Sequence, residues 1–123
     1  MSSNRRVFRI GERIRTLVAE EMFRVADNRF ELVTITSAVV SPDLGQAKVY
    51  WVVSGDEKRK KEVSEAFKSS SGHFRQVIGR ELGIRFVPFL RFFYDDTLDT
   101  TEQIERLFQQ IKASESSGEK VGK

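Results

Sequence analysis

Few side chains in this sequence are suited to catalysis or metal binding. There is no cysteine and a single histidine, His73, so thiolate zinc sites and histidine-rich metal sites are excluded. His73 follows Gly72, where the pattern predicts the start of a helix, and exposure is a better interpretation than catalysis. Asp95, Asp96 and Asp99 lie in one loop, but they lack EF-hand spacing, so a turn or capping role is favoured over a cation site. Without a Walker loop or a Ser-His-Asp order, we predict a protein that is not an enzyme and needs no cofactor or metal.

Basic side chains carry the more informative chemistry. The net charge is +3 and the pI is about 9.4. Residues 1–30 hold seven arginines against four acidic residues, and residues 56–80 hold seven basic residues against four acidic ones. Two basic blocks suit a polyanionic partner such as nucleic acid, although solvated helix faces give the same pattern. The predicted RNA contacts are the basic residues of these blocks and the small residues between them: Arg5, Arg6, Arg9, Arg13, Lys58, Arg59, Lys60, Lys61, Ser70, Ser71, Gly72, Arg75 and Arg80.

Hydrophobic periodicity predicts one domain over residues 1–112. Apolar residues at helical spacing predict helices at residues 5–26, 56–69, 73–82 and 101–112. Alternating and β-branched residues predict strands at residues 32–40, 46–53 and 84–94. Pro88 falls in the last of these, so it is expected at an edge, a bulge or the strand entry. Residues 113–123 are small and polar, which predicts a disordered tail.

The strands are expected to form one three-stranded sheet with the helices on one face, an α+β fold. A short turn joins the first two strands into an antiparallel hairpin, and the first and third strands are expected to lie side by side. Alternation places Val33, Ile35 and Val39 on one face of the first strand. It also places Tyr50 and Phe93 on the open face of the sheet.

A break in the helical pattern separates the second and third predicted helices. The run Ser69-Ser70-Ser71-Gly72 combines residues that favour turns with a glycine that relieves backbone restriction. The pattern therefore predicts helix, kink, helix. Backbone amides at the kink, with Arg75 and Arg80 after it, would bind phosphates.

Several segments, in this order along the chain, resemble the ribosome-binding factor A family. They span roughly residues 5–112 and are Arg5-Arg6-Val7 with Ile10 and Ile14, Val33-Thr34-Ile35-Thr36 with Val39-Val40-Ser41-Pro42-Asp43-Leu44, Ala47-Lys48-Val49-Tyr50, and Ile84-Arg85-Phe86-Val87-Pro88-Phe89-Leu90-Arg91-Phe92-Phe93-Tyr94-Asp95.

The resemblance implies a KH-like domain of the second topological type. In this family a kink, usually Ala-x-Gly, replaces the Gly-x-x-Gly loop that grips nucleic acid in other KH domains. Ser70-Ser71-Gly72 occupies that place, with Ser70 where alanine is usual. The resemblance further implies a cytoplasmic, monomeric protein that binds free, immature 30S ribosomal subunits and 16S rRNA. It would assist late maturation and 16S rRNA processing, especially in the cold.

Two other functions fit the same residues. One is a generic KH-like RNA-binding protein that does not act on the ribosome. The other is a protein-interaction module whose basic faces meet acidic partners. A membrane partner is not expected, because no apolar run approaches the roughly 20 residues of a membrane span.

Overall fold

The computed structural model describes residues 2–97 together with Gln109 and Ile111, both of which are helical. The elements, in chain order, are α1 (Ser2–Arg24), a 3-10 helix (Asn28–Phe30), β1 (Thr34–Val40), β2 (Gln46–Val52), α2 (Glu57–Leu82) and β3 (Phe89–Tyr94). This is the expected α+β arrangement. Most of the predicted last helix (residues 101–112), the predicted tail (residues 113–123) and Asp99 lie outside the described residues.

The three strands form one mixed sheet in the order β1-β2-β3. β2 pairs antiparallel with β1 and parallel with β3, so the expected contact between the first and third strands is wrong. The long crossover through α2 returns the chain beside the strand it left, as sequential strands commonly do. β2 accordingly takes the central position, where Ala47 and Val49 have no solvent exposure.

A bulge in β1 changes which side chains face the core. The register with β2 shifts between Ile35 and Ser37, which leaves Thr36 as the extra residue. Beyond the bulge the alternation is inverted, so Ala38 and Val40 are buried while Val39 is 56% exposed. The predicted shared face of Val33, Ile35 and Val39 is therefore wrong for Val39 alone.

The second and third predicted helices are one continuous helix, α2. Asp56 caps its first turn by accepting a hydrogen bond from the Arg59 amide at 3.0 Å. Gly83 ends it in the left-handed conformation with φ of 63°. The predicted break at residues 69–72 does not interrupt the helix. The Ser69 hydroxyl donates to the Ala66 carbonyl at 3.1 Å, so its polar group is satisfied without a turn.

Both helices pack on one face of the sheet around a single hydrophobic core. Trp51, Phe67 and Phe74 are its largest fully buried side chains. α1 approaches β1 closely, since a Cβ at Gly11 would lie 2.5 Å from the Ala38 carbonyl oxygen. Pro88 is buried immediately before β3, which is the strand entry that its missing N–H requires.

Candidate nucleic-acid interface

The N-terminal half of α1 presents a row of free arginines. Arg5, Arg9 and Arg13 follow one another at four-residue spacing, and with Arg6 they are all exposed. No acidic residue occupies the first turn of this helix, and no described side chain pairs with any of the four. The positive end of the helix dipole adds to the charge near Arg5, in the first turn. This surface can therefore attract phosphates without first breaking an internal ion pair.

The second predicted basic group, residues 58–61, is divided by the fold. The Arg59 guanidinium donates hydrogen bonds to the carbonyl oxygens of Arg29, at 3.0 Å, and Glu31, so it ties α2 to the segment before β1. Lys60 lies 4.2 Å from the centre of the Tyr94 ring and 3.3 Å from Glu57. Both side chains are therefore engaged within the fold, and their contact with RNA stays a prediction. The other two members of the group, Lys58 and Lys61, are exposed as expected.

Arg75 also has a structural role that the sequence did not reveal. Its Nε donates to the Pro88 carbonyl at 3.0 Å and its Nη2 to the Val87 carbonyl at 2.8 Å. The guanidinium carbon lies 4.6 Å from the centre of the Phe89 ring. Arg75 thus fixes the loop before β3 to α2, and two of its donors are engaged within the fold rather than free for a phosphate. Arg80, one and a half turns later, remains exposed and lies 3.6 Å from Glu81.

A groove runs between α2 and β3 beside the predicted kink. It has a volume of about 380 Å³ and is lined by Ser64, Lys68, Ser71 and the Leu90–Phe93 stretch of β3. Of the predicted kink residues, only Ser71 lines this groove, while Gly72 is exposed on α2. Lys68 and Arg91 are cations of the groove that sequence reasoning missed. In the sequence, only their charge distinguishes these two residues. Their place in the groove depends on β3 lying at the edge of the sheet, which follows from the strand order and not from the local sequence.

The predicted basic residues lie at opposite ends of the sheet. Gly11 packs α1 against Ala38 near the end of β1, where β1 and β2 are joined by their turn. Residues 58–61 follow the other end of β2, and Arg59 bonds to the chain just before β1. A seven-residue strand spans about 20 Å. The arginines of α1 and the 58–61 group therefore form two separate surfaces, and the second is weakened by Asp56, Glu57 and Glu62.

His73 lies in the middle of α2 and not at the helix start that the pattern predicted. Its Nε2 is 2.6 Å from Oε2 of Glu21, a side chain that is only 8% exposed. The hydrogen bond from His73 lowers the pKa of Glu21, against the opposing effect of burial, and Arg24 lowers it further. The pair joins α1 to α2.

The acidic loop after β3 is used for local structure. Asp95 accepts hydrogen bonds from the Thr36 hydroxyl at 2.6 Å and from the Thr97 amide at 3.0 Å, and these bonds lower its pKa. Within residues 2–97, no group of three or more histidine, cysteine or acidic side chains is arranged to hold a metal ion. The helices that the structure describes include none with the length and apolar character needed to cross a bilayer.

Comparisons with known proteins agree with this architecture. The family model described as Ribosome-binding factor A matches residues 6–108. Ribosome-binding factor A of Citrifermentans bemidjiense is 36% identical over 108 residues, which cover 87% of this chain and 91% of that protein. The Halothermothrix orenii protein of the same name is 34% identical over 118 residues, covering 95% and 97%.

Solved structures show the same fold. The crystal structure of ribosome-binding factor A from Thermus thermophilus matches with a TM-score of 0.63 at 21% identity, covering 70% of this chain and 92% of that one. A homology model of the Thermus thermophilus factor, fitted into a cryo-EM map of a 30S complex, matches with a TM-score of 0.58 at 21% identity and covers 69% and 90%. These neighbours have the KH-like fold that the resemblance implied. By the match to its family model and to these relatives, the chain belongs to the ribosome-binding factor A family.

Proposed function

We propose that this chain binds free, immature 30S subunits through 16S rRNA and assists their late maturation and 16S rRNA processing. The observation that carries the proposal is the free arginine row of α1, on a chain whose family model matches residues 6–108. A homologous factor has been fitted into the map of a 30S complex, which supports the same target here. The protein would act by binding, as a monomer in the cytoplasm.

The charge distribution favours the α1 end of the molecule as the primary RNA contact. Arg5, Arg6 and Arg9 precede the first acidic residue of the chain, Glu12, which is occupied by Arg15 at 3.0 Å. Each phosphate that such a cation neutralises releases counterions and adds affinity without reading sequence. The groove between α2 and β3 lies on the other side of the domain and offers Lys68 as a further contact. Binding is therefore expected to weaken steeply as salt rises.

A role in the cold follows from the same mode of action. A protein that holds rRNA in its correct pairing helps most when incorrect pairings escape slowly, and escape slows at low temperature. A strain without the gene is expected to grow poorly in the cold and to accumulate precursor 16S rRNA. Growth and rRNA processing that match the parent strain at every temperature would contradict this role.

Gradient sedimentation of the tagged full-length protein tests the target directly. We expect the protein in the free 30S fractions, enriched in particles that contain precursor 16S rRNA, and not on assembled 70S ribosomes. Co-purification with other RNA but not with subunits would favour the generic RNA-binding alternative. Binding that survives nuclease and high salt, with no RNA affinity in filter binding, would favour the protein-interaction alternative.

A further inference from the structure

The face of the sheet opposite the helices carries two neighbouring aromatic rings, each partly exposed, and Phe93, on the edge strand, also lines the groove between α2 and β3. Tyr50 of β2 is the register partner of Phe93 in β3. Their ring centroids are 5.7 Å apart and their planes are inclined by 33°, so the rings lie side by side along the surface. Phe89 begins the same strand and is 65% exposed, although the guanidinium of Arg75 lies 4.6 Å from the centre of its ring. The parts of these rings that remain in water are apolar surface that a planar ligand would cover.

Cations are interleaved with these rings. In the next row of the sheet, Lys48 lies between Val39 and Arg91, and both cations are exposed. The guanidinium carbon of Arg91 lies 5.6 Å from the centre of the Phe93 ring. Successive side chains on one face of a strand are about 6.7 Å apart, so the rings and cations form adjacent rows.

Within the three strands, the side chains on this face are neutral or basic, namely Thr34, Ser37, Val39, Gln46, Lys48, Tyr50, Val52, Phe89, Arg91 and Phe93. One carboxylate lies just beyond them, because Asp95, directly after β3, reaches across β2 and accepts a hydrogen bond from the Thr36 hydroxyl of β1 at 2.6 Å. A second copy of this chain would bring like charges together across such a face, which disfavours self-association. A ligand with flat apolar rings and negative charge would complement both the aromatic rings and the cations of this face.

We propose that the open sheet face, defined by Tyr50, Phe93, Phe89, Lys48 and Arg91, is a stacking platform for single-stranded RNA. Bases would stack on the Tyr50 and Phe93 rings, while Lys48 and Arg91 contact the backbone phosphates. The proposal rests on the proposed function and makes it more specific: the bound rRNA includes an unpaired segment, held separately from the phosphates that the arginines of α1 contact. Single strands are the form recognised, because bases inside a duplex cannot stack on a protein ring.

Fluorescence anisotropy with the full-length protein tests this platform. The probes are a labelled ten-nucleotide single-stranded RNA and the same sequence in a blunt duplex. Each lost stacking interaction is expected to weaken binding by about 5- to 150-fold, so Tyr50→Val with Phe93→Val should weaken single-strand binding by at least about 25-fold while the contact with the α1 arginines remains. Tyr50→Phe keeps the ring and should bind as the wild type does. Valine suits a strand, and urea unfolding checks that the double variant remains folded.

A matched control removes a ring from elsewhere on the surface. Phe23, in the last turn of α1, is 88% exposed and lies outside the platform, so Phe23→Ala should leave RNA affinity unchanged. Photocrosslinking of the wild-type protein to 4-thiouridine RNA, read by mass spectrometry, gives a result that does not depend on variant folding. We expect crosslinked peptides from β2 and β3.

Three results would overturn the platform: unchanged single-strand affinity in the double variant, equal wild-type affinity for strand and duplex, or crosslinks confined to α1 and α2. A double variant that keeps its oligonucleotide affinity but detaches from immature 30S subunits would instead assign the face to a protein contact. Failure of the wild type to attach to those subunits, with the oligonucleotide results as expected, would reject the proposed function and leave the platform supported.

Discussion

Replacing Arg75 separates its structural role from an RNA contact. The guanidinium donates to the carbonyl oxygens of Val87 and Pro88 and lies over the Phe89 ring. Arg75→Met keeps most of the apolar stem and removes every one of these donors. Arg80→Met is the matched control, because it removes the same charge from the same helix at a side chain that is 64% exposed.

The magnitude follows from the contacts that are lost. A hydrogen bond from a charged donor contributes about 1.5–3 kcal/mol, and the lower value applies to the partly buried Arg75. The contact with the Phe89 ring adds about 0.5–1 kcal/mol at an exposed site. Since methionine recovers some contact with the ring, we expect Arg75→Met to lower the free energy of unfolding by about 3 kcal/mol. Arg80→Met should change it by less than about 0.5 kcal/mol.

Urea unfolding provides the assay, with the fluorescence of the single tryptophan, Trp51, as a probe of the core, since it is only 2% exposed. RNA affinity is then measured at a temperature where the Arg75→Met variant remains folded, and it should match that of the wild type. The reasoning is refuted if Arg75→Met unfolds within about 0.5 kcal/mol of the wild type and binds RNA about tenfold more weakly. Arg75 would then be the phosphate contact that the sequence predicted.

The remaining predictions concern packing and pH. Gly11→Ala should destabilise the fold by about 2 kcal/mol in urea unfolding, because its Cβ would lie 2.5 Å from the Ala38 carbonyl oxygen. Gly72→Ala should stabilise it by about 0.5–1 kcal/mol, since no atom lies within 4 Å of the added Cβ, and destabilisation would indicate a real kink. The pKa of Glu21 is lowered from 4.5 by its bond to His73. Its contribution to stability is therefore complete above that value and is lost as the pH falls through the lower folded-state pKa. Thermal unfolding of Glu21→Gln should show a smaller loss of Tm than the wild type on acidification below pH 4.5, and equal losses would contradict the role of this carboxylate.

Local patterns predicted the elements of this fold well where one face of an element is buried. Alternation in β2 placed Tyr50 on the open face, which leaves Ala47, Val49 and Trp51 on the opposite face, and all three are buried. The same rule failed for Val39 because a bulge at Thr36 inverts the alternation, and a single extra residue leaves no signature in the pattern. The predicted strand order was wrong for a different reason. Strand order depends on where the α2 crossover returns the chain to the sheet, and no single segment determines it.

The candidate site could be predicted only in part, because the type and spacing of basic residues do not show where each side chain points. The row at Arg5, Arg9 and Arg13 is exposed as its spacing indicated. Arg59 and Arg75 have the same chemistry, but each satisfies backbone carbonyl oxygens far away in the sequence. The carbonyl oxygens that accept these bonds lie in loops. Every residue type supplies a backbone carbonyl, so the sequence does not identify these partners. The sequence predicted the open sheet face through Tyr50 and Phe93. The cations of this face could be placed there only from the register of the strands.

The salt dependence of binding to immature 30S subunits tests the central claim, that RNA docks at the α1 end of the domain. Equilibrium binding over a range of salt concentrations compares the wild type with Arg5→Gln/Arg9→Gln and with Lys58→Gln/Lys61→Gln, which removes the same charge at the opposite end. Each lost phosphate contact flattens the slope of log K against log salt by about 0.7–0.9. We expect a slope flatter by about 1.5 for the α1 variant and an unchanged slope for the control. An unchanged slope for the α1 variant, or an equal change in both, would contradict it.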